Sequence, residues 1–277
     1  MANSKKSSTV LSSLVALGFA VSLLPAGAAN AASISVTATN RDFSSSHADF
    51  EAFITTETGI VTTSLGLDGK PVYNVAAKGL TSLSSATTGQ ANFNQWYNDT
   101  PSINQTFTTS LIASEAVPGS GIFSYVNTSY FPVNGLGFGN EGNLTNFHFT
   151  TEINTEFTYT VGETFSFTRD DDVWVFINGE LAIHLGGVHG PITGAVSLDT
   201  APAALGITTG GTYGITTGGT YDLDIFQAER HKDGSSFSFT TSIVLVDAPT
   251  AVPEPGTLLL LGLGPSGIGF MRRRKAA

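Results

Sequence analysis

The alternation of apolar and polar residues through the middle of the chain is typical of β-strands. Residues 33–39 alternate, and so do residues 155–161 and 164–169, which flank a Gly162-Glu163 turn. This period of two predicts strands that bury one face. Residues 236–246 predict a long final strand. No sustained helical periodicity is found between the two ends of the chain.

Residues 173–177 depart from this alternation, because they read Val-Trp-Val-Phe-Ile and are apolar at every position. Such a run predicts a strand buried on both faces, as in the centre of a sandwich. Asn178-Gly179 then predicts a tight type I′ turn, since both residues tolerate positive φ, and residues 181–185 return as the partner strand. The pattern predicts an all-β protein, and specifically a β-sandwich.

The N-terminus has the order of a secretory signal. Lys5 and Lys6 precede an apolar run over residues 10–24, and small residues follow up to Ala31. This order predicts a signal peptide over residues 1–31 that carries a signal helix. A retained membrane helix is the alternative.

The C-terminus has three parts: a Pro-Glu-Pro motif, an apolar stretch over residues 257–271 and an Arg cluster. As a helix the stretch would reach about 22 Å, short of the roughly 30 Å hydrocarbon layer. The tail resembles the PEP-CTERM sorting signal, which implies a short hydrophobic helix in contact with the inner membrane and recognition by a sorting protease there. A permanent anchor is the alternative to cleavage. The motif residues are Pro253, Glu254, Pro255, Arg272, Arg273 and Arg274.

These signals divide the chain into a signal peptide (1–31), a β-domain (32–246), a linker (247–252) and a sorting segment (253–277). We expect export across the inner membrane, with the mature domain in the periplasm, at the cell surface or outside the cell.

The charge balance narrows the choice of partners. The formal net charge is -10, with 22 acidic against 12 basic residues. Half of the basic residues lie in the two ends, so the predicted mature domain is more acidic still. Nucleic-acid binding is disfavoured, because neutralising phosphates needs a basic surface. The lack of cysteine excludes disulfides and thiol catalysis.

Three consecutive aspartates, Asp170, Asp171 and Asp172, stand directly before the apolar run. Neighbouring like charges repel, and a hard cation such as calcium would relieve the repulsion. In an extended chain adjacent side chains point to opposite faces, so a shared ion requires an unusual backbone, such as a cis peptide bond between Asp170 and Asp171. The alternative is a solvated acidic turn paired with Arg169.

Three stretches carry a family resemblance: FNQWYNDTPSIN (93–104), FTRDDDVWVFINGELAIHLGGVHG (167–190) and TYDLDIFQAERHKDGSSFSFTTSI (220–243). Together they make residues 90–246 similar to the fibro-slime domain, a relative of the protective-antigen-type β-sandwich of flocculins.

The resemblance implies a calcium site that also touches sugar hydroxyls. Asp170 and Asp171 match the family's consecutive aspartates, and Glu229 stands where the family has Asn. The implied metal residues are Asp170, Asp171, Glu229, His231 and Asp233, the last two through backbone carbonyls. We expect ligand binding by Asp170 and Asp171, as the resemblance implies, and also by their neighbours Asp172 and His189.

The function predicted from these features is that of an exported, non-catalytic, calcium-stabilised carbohydrate-binding or adhesion module, associated with exopolysaccharide or a biofilm. The alternative is a glycan hydrolase that uses Glu229 with one aspartate of 170–172. Contiguous aspartates alone are too close together, since glycosidases space their two carboxyl groups about 5 to 10 Å apart.

Several other residues carry weaker expectations. Trp96 and Tyr97 are candidates for stacking on sugar rings, whereas Trp174 is expected in the core. Asp222 and Asp224 are expected on a solvated strand face, and His189 is expected to make a loop hydrogen bond. Residues 206–213 recur without change as 214–221, which we interpret as a duplication accommodated in a loop.

Overall fold

The computed structural model describes residues 31–52, 55–81, 84–199 and 213–248. The predicted signal helix, the sorting segment with its hydrophobic helix, and nearly all of the first repeat copy lie outside these residues. Among the described residues, no helix has the length and apolar character needed to cross a membrane.

The described chain forms one antiparallel sheet of thirteen strands and two helices of four residues each. The strand order is β10-β7-β12-β5-β4-β1-β6-β11-β8-β9-β2-β3, with β13 also beside β6. The elements are β1 (Ser33–Phe43), β2 (Val61–Leu65), β3 (Pro71–Tyr73), α1 (Val75–Lys78), α2 (Gln90–Phe93), β4 (Asn104–Glu115), β5 (Phe123–Asn127), β6 (Phe149–Thr158), β7 (Thr164–Arg169), β8 (Asp172–Ile177), β9 (Glu180–Leu185), β10 (Ile192–Ser197), β11 (Thr220–Glu229), β12 (Phe237–Thr241) and β13 (Val246–Asp247).

The sheet curls around a first core of alternating inward residues. Phe167 of β7, Phe237 of β12 and Ile225 of β11 belong to this core. Strands β9 and β10, which are far apart in the strand order, pack against each other where Gly194 meets Ile183. A Cβ at Gly194 would lie 2.6 Å from Cγ2 of Ile183, so this approach requires glycine. The all-β prediction is confirmed, with facing strands enclosing a core as in a sandwich.

A second core lies on the outer face of β8 and β11. The described residues between 44 and 103, here called the outer layer, cover this face. Trp174 and Phe176 of β8 point outward into the second core, whereas Val173, Val175 and Ile177 point into the first. The prediction that residues 173–177 are buried on both faces is therefore confirmed.

The outer layer corrects the expectation for two aromatic residues. Trp96 and Tyr97 are buried, and both lie in ring contact with Trp174. They fill the second core, so they do not form a platform for a sugar ring.

Strand boundaries differ from the prediction at two places. Strand β6 begins at Phe149 and ends at Thr158, earlier than residues 155–161. The single strand predicted over 236–246 is two strands, because β12 pairs with β5 and β7 and the chain then crosses to pair with β6 as β13. The Asn178-Gly179 turn is confirmed, with φ values of 49° and 75°.

The two aspartates expected on a solvated face have different surroundings. Asp222 is exposed, but Asp224 is buried between β6 and β8, where Nδ2 of Asn154 donates to its Oδ1 at 2.9 Å. The solvated-face expectation is wrong for Asp224, because the outer layer covers this part of the strand.

Candidate functional site

A pocket of about 150 Å³ opens where β7 ends, β10 begins and β11 ends. Six residues singled out from the sequence line this pocket together, although they come from three separate segments. They are Asp170, Asp171, His189, Glu229, His231 and Asp233, and the remaining lining residues are Val188, Gly190, Pro191 and Gly234.

Asp171 ties two loops of the pocket together. Its carboxylate accepts hydrogen bonds from the backbone N–H of His189 at 3.2 Å and of Arg230 at 2.8 Å. Its own N–H donates to the carbonyl oxygen of His189 at 3.3 Å. Asp171 thus fixes the 189–191 loop relative to the loop after β11.

The backbone at Asp171 corrects the cis-peptide expectation. The described residues contain no cis peptide bond, and Asp171 instead adopts a φ of 56°. This left-handed conformation is uncommon for a residue other than glycine, and Asp and Asn tolerate it best. A positive φ, rather than a cis bond, lets consecutive aspartates turn toward one pocket.

Asp170 presents a carboxylate oxygen that is not hydrogen-bonded. The residue is half-buried, and its Oδ1 atom is shielded from solvent without a hydrogen-bond partner. Buried polar atoms normally have partners, because desolvation without compensation is costly. A cation is a suitable partner for this oxygen.

The loop after β11 forms the opposite side of the pocket. Glu229, the last residue of β11, is only 1% exposed. Nδ1 of His231 lies 3.1 Å from Oδ2 of Asp233, and its Nε2 lies 3.5 Å from Oε2 of Glu51. Nδ1 of His189 lies 2.9 Å from the carbonyl oxygen of Gly190, which confirms the expected loop hydrogen bond.

Asp172 does not line the pocket, in contrast to the other two aspartates. Its Oδ1 accepts from the N–H of Gly187 at 2.5 Å and its Oδ2 from Nε of Arg230 at 2.7 Å. Both side chains of this ion pair are fully buried. Asp172 therefore stabilises the second core, and the prediction that it contacts ligand is corrected.

The Arg230 side chain is the main residue that sequence reasoning missed. Its Nη1 donates to the carbonyl oxygens of Asp49 at 3.0 Å and Ala86 at 2.7 Å, and the guanidinium lies 4.7 Å from the centre of the Trp96 ring. Burial opposes its charge, but the attraction of Asp172 outweighs this and raises the pKa of Arg230. The available signal was a lone Arg at the end of a buried strand.

A second group of ionisable residues adjoins the pocket. Nε2 of His148 lies 2.9 Å from Oε1 of Glu51, and Nδ1 lies 3.1 Å from Oε2 of Glu141. Glu51 and Glu141 both have positive φ, 59° and 47°. Since Glu51 also contacts His231, this group supports the loop that carries His231.

The carboxylates of the pocket do not form a closed metal cage. In the part of the chain that the structure describes, no three His, Asp or Glu side chains come close enough together to hold a metal ion by themselves. A calcium ion here would use backbone, water or ligand oxygens besides Asp170 and Asp171. The atoms that could coordinate an ion in this pocket are mostly oxygens, and oxygen is the ligand atom that calcium prefers.

Two family matches cover the C-terminal part of the chain. Residues 136–255 match the PA14 domain, and residues 251–275 match the PEP-CTERM protein-sorting motif. The PA14 match contains every residue of the pocket. The PEP-CTERM motif indicates export with a C-terminal membrane anchor. Both broader resemblances, to the protective-antigen-type domain and to the sorting signal, are confirmed, whereas the narrower fibro-slime assignment stays a prediction.

Curated relatives come from Dictyostelium discoideum. Protein psiQ is 36% identical over 200 residues, covering 68% of this chain and 18% of psiQ. Protein psiD is 33% identical over 194 residues, covering 67% of this chain and 36% of psiD. The chain therefore spans about a fifth to a third of the length of these relatives.

Solved PA14 domains show a weaker likeness. The PA14 sugar-binding domain from an RTX adhesin has a TM-score of 0.31 at 10% identity, covering 76% of this chain and 96% of that one. The PA14 domain of the antifreeze protein MpAFP has a TM-score of 0.26 at 11% identity, covering 48% and 69%. Scores this low do not establish a shared fold, so the fold class rests on the strands described above.

Proposed function

We propose that this PA14-containing protein is an exported, non-catalytic carbohydrate-binding or adhesion module that binds calcium in the pocket of Asp170 and Asp171. One observation carries the proposal: the two aspartates meet Glu229 in a single pocket, and Oδ1 of Asp170 is buried there without a hydrogen-bond partner. The PA14 match supports the carbohydrate part of the proposal.

Calcium would serve this pocket in two ways. It takes six to eight oxygen ligands, so carboxylates and the carbonyl groups of residues 230–234 leave room for ligand oxygens. It also offsets the repulsion between the carboxylates. A sugar with neighbouring hydroxyl groups would complete the coordination, with His189 at the pocket wall.

The setting we propose is the exopolysaccharide matrix of a biofilm. Support comes from the sorting motif, which fits export and processing by a sorting protease, and from the acidic, cysteine-free composition. In this proposal the protein is held at the inner membrane until the protease acts. Membership of the fibro-slime group within the wider PA14 group belongs to the same proposal.

The hydrolase alternative has less support. The Asp172 carboxylate lies outside the pocket and accepts a hydrogen bond from Arg230. The Asp171 carboxylate already accepts hydrogen bonds from two backbone N–H groups. Neither is placed as a free acid or nucleophile beside Glu229.

Calcium binding by the full-length chain tests the proposal. We expect terbium luminescence and calorimetry to show binding that Asp170→Asn and Asp171→Asn abolish, because each change removes one carboxylate but keeps the side-chain shape. Asp222→Asn, an exposed aspartate on β11, is the matched control and should bind like the parent. Circular dichroism without calcium verifies that all variants are folded.

A glycan array with and without EDTA tests the sugar part separately. Retention that requires calcium and is lost in Asp170→Asn supports the proposal. Unchanged ion binding in both pocket variants, or retention of glycans that EDTA does not affect, contradicts it.

A further inference from the structure

Glu115 carries a shielded carboxylate at the end of β4, where the chain turns into the loop before β5. The residue is only 7% exposed. Its Oε2 accepts hydrogen bonds from the backbone N–H of Ala32 at 3.0 Å and of Gly119 at 2.9 Å, and its Oε1 accepts from the N–H of Gly121 at 2.7 Å. These hydrogen bonds, the one from Ala32 first, lower the pKa of the Glu115 carboxyl group.

This carboxylate has no basic side chain beside it. Among the residues that the structure describes, no Lys, Arg or His side chain forms an ion pair with Glu115. Two other shielded glutamates differ in this respect, since Glu57 pairs with Lys78 and Glu152 pairs with Arg41. Shielding a carboxylate from water is costly unless hydrogen bonds and a counter-ion compensate. A positive charge on the nitrogen of Ala32 would supply the missing counter-ion.

Ala32 is the residue that directly precedes the sheet. Its carbonyl oxygen accepts from the N–H of Glu115 at 2.9 Å, and β1 begins with the next residue, Ser33. The three residues before it read Ala29-Asn30-Ala31, which has the small-x-small order of a signal-peptide cleavage site. Ala31 and Ala32 are both exposed. The end of the predicted signal peptide therefore coincides with the residue that Glu115 binds.

We infer that removal of the signal peptide between Ala31 and Ala32 creates the cation that Glu115 binds, which makes Glu115 the binding site for the amino terminus of the mature protein. Hydrolysis by a signal peptidase breaks the C–N bond between the two residues. Water supplies a hydroxyl group to the carbonyl carbon of Ala31 and a hydrogen to the nitrogen of Ala32. The proton that the new carboxyl group releases converts the Ala32 amine to an ammonium group.

The consequence is that processing strengthens a contact that the fold already contains. The hydrogen bond from Ala32 joins a neutral N–H to a carboxylate before cleavage, and becomes charge-assisted after it. Glu115 is not among the residues that line the pocket of Asp170 and Asp171. The inference therefore goes beyond the proposed function and does not depend on calcium or sugar.

The amino terminus of the exported protein tests the cleavage point. The full-length chain would be expressed in a Gram-negative host that exports it, and the purified product analysed by N-terminal sequencing and intact mass spectrometry. We expect Ala32 as the first residue. A product that begins at another residue, or that keeps residues 1–31, overturns the inference.

Labelling of the α-amino group tests the contact with Glu115. Amine-reactive esters attack the unprotonated amine, whose pKa is ordinarily about 7.7–8.0, and a carboxylate partner favours the ammonium form. At about pH 7.5 the exported parent should therefore be labelled about tenfold more slowly at Ala32 than Glu115→Gln. The tryptic peptide 32–41 contains no lysine, so a label on it reports the α-amine alone. Glu180→Gln removes an exposed carboxylate from β9 and should be labelled at the parent rate.

An insertion separates the ammonium contact from any general effect of Glu115→Gln on the loop. Inserting Gly-Ser between Ala31 and Ala32 keeps Glu115 but moves the ammonium group two residues away from it. This product should be labelled as fast as Glu115→Gln, and it remains informative if Glu115→Gln does not fold. Circular dichroism verifies folding. A parent labelled as fast as the insertion product overturns the inference and leaves the proposed function untouched.

Discussion

At the residue scale, adjacent aspartates have opposite tasks. Asp171 faces the pocket because its backbone has a positive φ, whereas Asp172, the first residue of β8, bonds the buried Arg230 on the side of the second core. The crowding of charge was readable from the sequence, but this difference between the two neighbours was not. The ion pair between Asp172 and Arg230 could not be predicted from the sequence. The Arg230 side chain is also held by the carbonyl groups of Asp49 and Ala86, which are distant in sequence and lie near it only because the outer layer folds over β8 and β11.

The Asp172–Arg230 pair leads to a stability prediction. Replacing Asp172 by Asn leaves the Arg230 charge buried without its counter-ion, which typically costs about 3–5 kcal/mol. We expect this loss in the free energy of unfolding, measured by urea denaturation.

An ion pair with one exposed partner supplies the comparison, and its buried Arg41 also pairs with Glu152. Asp99 pairs with Arg41 but its side chain is 69% exposed, so Asp99→Asn should cost no more than about 1 kcal/mol. Equal effects of the two substitutions would show that the buried pair does not anchor the outer layer.

Asp224 leads to a pH prediction. Burial raises the pKa of Asp224 from 3.8 to about 6. Because folding favours its protonated form, the associated stability is fully present below about pH 4 and is lost as the pH rises through about 6. Asp224→Asn removes this dependence, so the variant should gain about 1–3 kcal/mol over the parent between pH 4 and pH 7.

Unfolding free energies of the parent and of Asp224→Asn at several pH values in this range measure the gain. Asp68→Asn, at an exposed position, serves as the control and should show no such trend. A constant difference between the parent and Asp224→Asn across the range would mean that Asp224 is not desolvated in the folded protein.

At the element scale, local sequence signals predicted the positions of the strands better than they predicted which strand faces the outer layer covers. The β8–β9 hairpin follows from five apolar residues and Asn-Gly, all within one short segment. The outer layer was missed because its helices are only four residues long and its packing on Trp174 joins distant segments. The split of the last predicted strand also depends on contacts between distant segments. Strand β1 pairs with β6 only as far as Ile153, and β13 pairs with the part of β6 that follows.

The tandem repeat leads to a prediction about an element. Removing residues 206–213 leaves one complete copy and brings Leu205 to the position of Tyr213. Tyr213 and Ile215 are buried in the first core, and the hydroxyl group of Tyr213 has no hydrogen-bond partner there. Leu205 supplies apolar volume without that hydroxyl, and the backbone oxygen that accepts from Nδ2 of Asn178 is retained.

The protein without residues 206–213 should therefore fold, and its free energy of unfolding should differ from that of the parent by less than about 2 kcal/mol. Thermal and urea unfolding followed by circular dichroism measure the change. A protein without residues 206–213 that does not fold would show that the fold requires both copies and that the repeat is not a tolerated insertion.

At the scale of the whole molecule, the pocket lies at one end of β6, whereas the last described residue, Ala248, lies beside Asn154 in the middle of that strand. Asp247 of β13 binds the backbone N–H of Thr37 at 2.6 Å and its hydroxyl at 2.8 Å, and β13 pairs with β6 at Thr155 and Glu156. Glu229 in the pocket pairs with Phe149, the first residue of that strand. Five residues of strand separate Phe149 from Asn154, or about 17 Å.

This arrangement predicts how the protein is presented while its C-terminal anchor remains in the membrane. The end that carries Val244 and β13 should lie close to the lipid, and the pocket should face away, open to polysaccharide. The chain has no cysteine, so a single introduced cysteine can be labelled cleanly. Val244 and Lys232 are exposed positions at the two ends.

We expect a fluorophore on Val244→Cys to be quenched by nitroxide-labelled lipid headgroups in vesicles that contain the full-length chain. The same fluorophore on Lys232→Cys should be quenched much less, because nitroxide quenching acts only over short distances. Both labels should lose quenching when detergent dissolves the vesicles. Stronger quenching at Lys232→Cys would place the pocket against the membrane, where a polysaccharide could not reach it before the tail is cut.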